Sequence, residues 1–197
     1  MNVLIINAHL NYPNWSEGTL NEAMQGVAKT YFIEQGHDVV ETYVEAGYEP
    51  EVEVQKHVDA DLVILQTPIN WFGAPWIYKK YVDEVFNAGL HSKVLLDNDG
   101  RTRSDATRQY GTGGHMQGKK FMVAATWNAP TETFNNPESV LFEGKSVNDV
   151  LLSITANYKF TGYDVLDAYG IHDIFKDTAD ISGGLAGYRT YLETIAK

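Results

Sequence analysis

The amino-acid sequence predicts an α/β fold in which helices cover both faces of a doubly wound parallel sheet. Short apolar runs at residues 3–6 and 62–65 are typical of strands that are buried on both faces. Amphipathic helical patterns follow these runs, and strand and helix alternate along the chain, which favours right-handed crossovers between parallel strands. No repeat, linker or low-complexity tract interrupts the alternation, so we expect residues 1–197 to form a single domain.

The first half of the chain predicts three strands and three helices in alternation. Residues 3–6 form the opening strand, and the helix after it ends at Gly36. The apolar face of that helix consists of Leu20, Met24, Val27, Ala28 and Tyr31. Residues 38–44 alternate enough to form the second strand, and residues 51–58 form a short helix.

The third strand, at residues 62–65, leads through an aromatic loop into a helix. Pro68 is expected to end the strand, and Pro75 suits the first helical turn. The loop between the two prolines contains Trp71 and Phe72. Ligands bind at the carboxyl ends of strands in open α/β sheets, so this pair indicates one wall of a flat pocket. The alternative is that both rings pack under a neighbouring helix.

The second half of the chain is less regular. Residues 101–118 have no period and predict a long loop, a feature that is often functional, and residues 119–125 predict the fourth strand. Residues 131–145 are irregular, and a capping box at Ser146 predicts the start of a helix. Residues 165–169 predict a fifth strand before a final helix. The apolar face of that helix consists of Leu185, Tyr188, Leu192 and Ile195.

Composition excludes several classes of function. The chain has 15 Lys and Arg against 26 Asp and Glu, and this net charge of −11 disfavours nucleic acid and anionic membranes as partners. Without cysteine, thiolate chemistry and iron–sulfur ligation are excluded. No segment has the apolar length of a membrane span, and the first residues do not resemble a signal peptide, so we expect a cytoplasmic protein without membrane insertion.

The chain lacks the sequence motifs of several enzyme classes but has one candidate phosphate-binding site. The chain lacks the glycine motifs of nicotinamide-dinucleotide domains and P-loops, the G-x-S-x-G of hydrolases and the H-E-x-x-H of zinc proteases, so we expect no metal site. The chain also lacks the acidic residues that a receiver domain needs after its first and third strands. Ser16, Gly18, Thr19 and Asn21 surround a helix N-terminus, which suits a phosphate. Ser16 is alternatively a simple N-cap.

Three predicted loops carry aromatic or small residues. They contain Trp71 with Phe72, Tyr110 with Gly111, Gly113 and Gly114, and Thr126 with Trp127 and Asn128. A planar, redox-active ring with a phosphate tail would use all three loops and the helix N-terminus. The residues therefore suggest a flavin as the cofactor.

Several sequence blocks in this order resemble the NADPH:quinone oxidoreductases of the modulator of drug activity B type. They include S-x-G-x-L-N at residues 16–21, W-x-G-A-P-W at 71–76, D-G-R-T-R at 99–103, Y-G-x-G-G at 110–114 and T-W-N-A-P at 126–130. The match becomes thin after Lys145. The resemblance implies a flavodoxin-like fold with strand order 2-1-3-4-5. It also implies a homodimer that holds FAD at the subunit interface, with NADPH as the hydride donor and a quinone or similar small molecule as the acceptor.

The resemblance also implies roles for individual residues. The residues implied to hold the pyrophosphate end are His9, Ser16, Gly18, Thr19, Leu20 and Asn21. Those implied to surround the isoalloxazine ring are Pro68, Ile69, Asn70, Trp71, Phe72, Thr126, Trp127, Asn128 and Ala129. The backbone N–H groups of Gly113 and Gly114 are candidates to stabilise negative charge on the ring.

Tyr110 and His115 are the candidate catalytic residues. Tyr110 would donate a hydrogen bond to the substrate oxygen, and His115 would supply a proton near neutral pH. His115 is alternatively a solvated loop histidine, since aliphatic residues are usual at its position in the family. A second departure is the sequence Ile69-Asn70-Trp71-Phe72 where the family has Gly-Trp-Trp-Met.

We infer a ping-pong mechanism, in which NADPH delivers hydride to flavin N5 and a quinone then takes it from the same position. Arg101, Arg103 and Arg108 are candidate contacts for the NADPH phosphates. Two alternatives stay open. One is an FMN-binding electron carrier of the flavodoxin type, because a net negative charge would favour docking on redox partners. The other is a non-catalytic flavin-binding regulator.

Overall fold

Parallel strands and flanking helices alternate in the computed structural model, which describes residues 1–196. The elements are β1 (Asn2–Asn7), α1 (Thr19–Glu34), β2 (Asp38–Tyr43), α2 (Pro50–Asp59), β3 (Leu62–Pro68), α3 (Trp76–His91), β4 (Lys120–Thr126), α4 (Val147–Val150), α5 (Leu152–Thr161), β5 (Asp164–Val165), β6 (Tyr169–Ile171) and α6 (Ile181–Ile195). The sheet order is β2-β1-β3-β4-β5, and all pairings are parallel. The predicted fold class and strand order are confirmed.

The fifth position of the sheet differs from the prediction, because two short strands replace the expected one at residues 165–169. Both β5 and β6 pair with β4, β5 at its beginning and β6 at its end. Between them, the backbone at Asp167 and Ala168 hydrogen-bonds to side chains instead. Asn148 Oδ1 accepts from the Ala168 N–H at 3.0 Å, and the Tyr191 hydroxyl donates to the Asp167 carbonyl at 2.6 Å. These two hydrogen bonds, from side chains of α4 and α6, stabilise the segment that separates β5 from β6.

Alternate residues of the central strands point into two apolar cores, one on each face of the sheet. On β1, for example, Leu4 and Ile6 belong to one core while Val3 and Ile5 belong to the other. Helices α2, α3 and α5 cover the first face, and helices α1 and α6 cover the second. This two-sided burial explains why the strands are continuous apolar runs. Within residues 1–196, no helix is long and apolar enough to cross a bilayer.

A buried polar cluster connects α2 to its neighbours within the first core. His57 is fully buried, with Nδ1 3.0 Å from the Tyr163 hydroxyl and Nε2 3.2 Å from the Tyr81 hydroxyl. Glu53, one turn before it, accepts hydrogen bonds from Tyr81 at 3.0 Å and from Thr42 at 2.7 Å. Burial, assisted by the positive charges of Lys119 and Lys56, lowers the pKa of His57 from 6.5 to about 3.

We expect His57 to make the protein less stable in mild acid. The unfolded chain binds a proton at this residue near pH 6.5, whereas the folded chain binds it only near pH 3. The free energy of unfolding therefore falls as the pH decreases through this window, by up to about 1.4 kcal/mol per pH unit. Urea denaturation of H57N across the window will show a shallower pH dependence. The control H91N, at an exposed histidine, will keep the wild-type slope; equal slopes in H57N and wild type would contradict the assignment.

Candidate functional site

A cavity of about 890 Å³ opens at the carboxyl edge of the sheet. Its walls come from the segments that follow β1, β3, β4 and β6 and from the irregular segment before α4. The predicted phosphate-end and ring residues all line it: His9, Ser16, Gly18, Thr19, Leu20, Asn21, Pro68, Ile69, Asn70, Trp71, Phe72, Thr126, Trp127, Asn128 and Ala129. The cavity thus brings together the predicted residues from three separate strand ends.

The N-terminus of α1 forms one end of the cavity. Gly18 is the N-cap residue in a left-handed conformation with φ +86°, so the alternative interpretation of Ser16 as N-cap is wrong. A Cβ atom at Gly18 would lie 2.6 Å from the His9 ring. His9 Nε2 is 3.0 Å from the Ser16 carbonyl and donates to it, because a carbonyl only accepts. Among residues 1–196, no side chain caps α1, so the N–H groups of its first turn are left to other acceptors.

The loop after β3 presents two aromatic rings on a tight turn. Asn70 and Gly73 exchange backbone hydrogen bonds of 2.8 and 3.2 Å. Trp71 and Phe72 occupy the two central positions with φ of +50° and +68°, a conformation that costs such residues about 1 kcal/mol or more each. The Trp71 side chain is 92% exposed, which excludes packing under a helix as its role. Strained, exposed aromatics beside a cavity are typical of a ligand-binding wall.

Trp127, at the end of β4, is buried beneath the cavity wall. Its ring is 2% exposed and stacks on His172 with an interplanar angle of 6°. His172 Nδ1 lies 3.1 Å from the Ala129 carbonyl and therefore carries a proton. Burial lowers the pKa of His172, which favours the neutral ring. These contacts fix the backbone of residues 127–129 against β6.

The irregular segment at residues 131–145 supplies cavity residues that sequence reasoning missed. Phe134 and Phe142 stack with ring centroids 4.6 Å apart, and Phe142 also meets the Phe72 ring edge-on at 5.9 Å. A hydrogen bond of 2.9 Å from the Asn135 N–H to the Lys145 carbonyl closes the segment. The missed wall residues are Trp15, Glu17, Pro130, Thr133, Leu141, Phe142, Asp173, Ile174, Phe175 and Lys176. The aromatic residues within these irregular segments were the sequence signal that could have indicated a role in the cavity wall.

The predicted catalytic residues do not line the cavity of their own chain. Tyr110 is 67% exposed and packs on Phe160 at 5.1 Å, with the Arg101 guanidinium 5.3 Å from its ring. His115 Nε2 lies 3.4 Å from an Asp97 carboxylate oxygen. Both residues thus belong to a surface loop that has its own contacts.

Gly113 and Gly114 also lie outside the cavity of their own chain. A Cβ atom on Gly113 would clash with the Asn98 carbonyl, and one on Gly114 would clash with the backbone of Thr161. Glycine is therefore required at these positions for close packing of the loop on its own chain.

Comparison with known proteins agrees with this architecture. The chain is 38% identical over 195 residues to the NADPH:quinone oxidoreductase MdaB of Haemophilus influenzae, and the alignment covers 99% of each chain. A solved structure of a candidate quinone reductase from Klebsiella pneumoniae superposes with a TM-score of 0.77 at 22% identity, covering 99% of this chain and 85% of that one.

A second solved structure contains a flavin. General stress protein 14 of Treponema denticola, in complex with FMN, superposes with a TM-score of 0.66 at 18% identity over 98% of each chain. The sequence profile described as the flavodoxin-like fold matches residues 1–192. This chain therefore belongs to the flavodoxin-like family.

Proposed function

We propose that the protein is an FAD-dependent NAD(P)H:quinone oxidoreductase that transfers two electrons, as a hydride, from NADPH to a quinone in ping-pong order. The observation that carries this proposal is the cavity of about 890 Å³, which joins an uncapped helix N-terminus to aromatic walls at the carboxyl edge of the sheet. The full-length similarity to the Haemophilus influenzae NADPH:quinone oxidoreductase supports the same activity.

The phosphate end of the cavity fits an anion without requiring a cluster of basic side chains. The first-turn N–H groups of α1 lack a side-chain cap, and the helix dipole adds positive potential at that point. Ser16 and Thr19 line the same end, and their hydroxyl groups would be further donors. A pyrophosphate is thereby accommodated in a protein whose net charge is −11.

The other end of the cavity fits a flat ring. When bound, a flavin accepts and donates hydride at its N5 atom. Residues 69–72 and 126–129 would hold the ring edges through backbone groups, and Trp71 and Phe72 would exclude water from the reacting partners. One ring face must stay open, because NADPH and the quinone use it in turn.

The volume of the cavity favours FAD over FMN, since it is near the upper end of the range for small-molecule sites, about 300–1,000 Å³. The FMN complex of Treponema denticola general stress protein 14 is the specific observation that keeps FMN as the alternative. An electron carrier of the flavodoxin type or a non-catalytic regulator would also bind flavin, and these differ from the enzyme in turnover.

We further propose that the protein is a homodimer with the flavin between subunits, so that the Tyr110 loop of one protomer reaches the cavity of its partner. The exposure of Tyr110, Trp71 and Trp76, each above 60%, supports this arrangement, because exposed aromatics are enriched at interfaces. In that arrangement Tyr110 would donate a hydrogen bond to the substrate oxygen, and His115 would supply a proton.

Steady-state oxidation of NADPH with menadione as acceptor tests the proposed function. Flavin-free protein is assayed alone, with added FAD and with added FMN. The proposal expects menadione-dependent turnover that is restored by FAD. Flavin binding without turnover would indicate a carrier or a regulator instead, and a protein that binds neither flavin would refute the cofactor assignment.

We expect G18A to weaken FAD binding by about tenfold or more. The substitution adds a Cβ 2.6 Å from the His9 ring and strains a residue at φ +86°. Fluorescence titration with FAD measures the dissociation constant. The matched control is G26A on the same helix, where a Cβ would have no neighbour within 4 Å. Equal affinities for the two variants would contradict the assigned phosphate end.

We expect Y110F to lower menadione turnover by roughly two- to tenfold, because a neutral hydrogen bond contributes roughly 0.5–1.5 kcal/mol. Its FAD dissociation constant should stay at the wild-type value. The control Y191F removes a hydroxyl that bonds to the Asp167 carbonyl, outside the cavity wall, and should keep full turnover. Unchanged turnover in Y110F would remove Tyr110 from the proposed mechanism.

A further inference from the structure

A chain of four side-chain amides runs beneath the N-terminal half of α1 and ends on a carboxylate. Gln66 donates to Asn21 at 3.0 Å, Asn21 donates to Asn7 at 2.9 Å, and Asn7 donates to Gln25 at 2.5 Å. Gln25 then donates to Glu41 Oε1 at 2.6 Å. Asn7, Asn21, Gln25 and Gln66 are all buried, and Glu41 lies on β2 outside the cavity wall.

Two groups of fixed polarity set the direction of the hydrogen bonds in this chain: the Glu41 carboxylate at its end and the His9 backbone N–H group at Asn7. A carboxylate only accepts, so Gln25 must present its NH₂ group to Glu41 and its oxygen to Asn7. Asn7 must then present its NH₂ group to Gln25 and its oxygen to Asn21. The direction continues to Gln66, whose Oε1 is left without a partner among residues 1–196, as expected at the end of a one-way chain.

The orientation of Asn7 matters for the phosphate end of the cavity. Asn7 Oδ1 accepts a second hydrogen bond, of 2.9 Å, from the backbone N–H of His9. The His9 ring donates to the Ser16 carbonyl at 3.0 Å and lies against Gly18. If Asn7 flipped, its NH₂ group would face the His9 N–H group, and this bond and the bond from Asn21 would both be lost.

We propose that Glu41 is a positioning residue for the phosphate end of the flavin site, acting through the amides of Gln25 and Asn7 on the segment from His9 to Gly18. The inference rests on the proposed function, because it assigns the cavity to a flavin. Lys29, whose ammonium pairs with Oε2 of Glu41, is not needed for the amide direction, since it leaves Oε1 as the acceptor for Gln25.

The test is the affinity of flavin-free protein for FAD, measured by fluorescence titration. In E41Q the terminal group becomes an amide that accepts or donates, so the carboxylate no longer orients Gln25 and only the His9 N–H group still orients Asn7. We expect the dissociation constant for FAD to rise about tenfold, as for the loss of one to two hydrogen bonds. The control K29M removes the ion pair alone and should change the dissociation constant by less than about twofold.

A double variant, Q25E with E41Q, provides the rescue. It moves the carboxylate one position along the chain, where Glu again only accepts and so restores the orientation of Asn7. We expect its dissociation constant to return to within about threefold of the wild-type value. A purely structural role of Glu41 does not predict this recovery, because the double variant still lacks the original carboxylate. Thermal unfolding of each variant is recorded in parallel.

The outcomes separate the two proposals. A wild-type protein that binds neither FAD nor FMN refutes the proposed function. Wild-type binding together with an unchanged dissociation constant in folded E41Q, or without recovery in the double variant, overturns the role of Glu41 alone. Should E41Q fail to fold, Q25L breaks the chain at the next link and is expected to show the same tenfold weakening; wild-type affinity in Q25L overturns the inference.

Discussion

Parallel hydrogen bonding that continues past the strand ends is the interaction on which the cavity depends. Ala8 N–H donates to the Gln66 carbonyl at 2.9 Å, Ile69 N–H to Thr126 at 3.0 Å and Trp127 N–H to Ile171 at 2.8 Å. These bonds align the first residues of the loops that leave the sheet at its carboxyl edge. Because the backbone is fixed there, neighbouring loops face a common space, and the site inherits the rigidity of the sheet.

Aromatic packing then closes that space from a part of the chain that has no regular structure. The Phe134 and Phe142 stack reaches Trp127 on one side and Phe72 on the other. Residues 131–145 therefore form a compact surface loop of the kind that is often functional. Its position explains why an irregular stretch retains buried phenylalanines.

Electrostatics in this acidic protein is local. A net charge of −11 does not prevent anion binding where the donors are backbone N–H groups at a helix N-terminus. The amide chain beneath α1 adds a second local effect, since the charge at Glu41 and the N–H group of His9 favour the same orientation of the neutral amides between them. Partly satisfied buried networks are costly, so such a chain is stable only when all its members agree in direction.

Apolar periodicity predicted β1 to β4 and the helices that pack on them, since it is a property of neighbouring residues. Sequence also predicted that the segments after β1, β3 and β4 meet at one site, because parallel strands bring their carboxyl ends to one edge. Three features became visible only in the folded chain: the interruption between β5 and β6, the cavity role of Leu141 and Phe142, and the position of Tyr110 outside the cavity of its own chain. Each depends on contacts between distant segments, such as those from Asn148 to Ala168 and from Phe142 to Phe72, which local pattern does not encode.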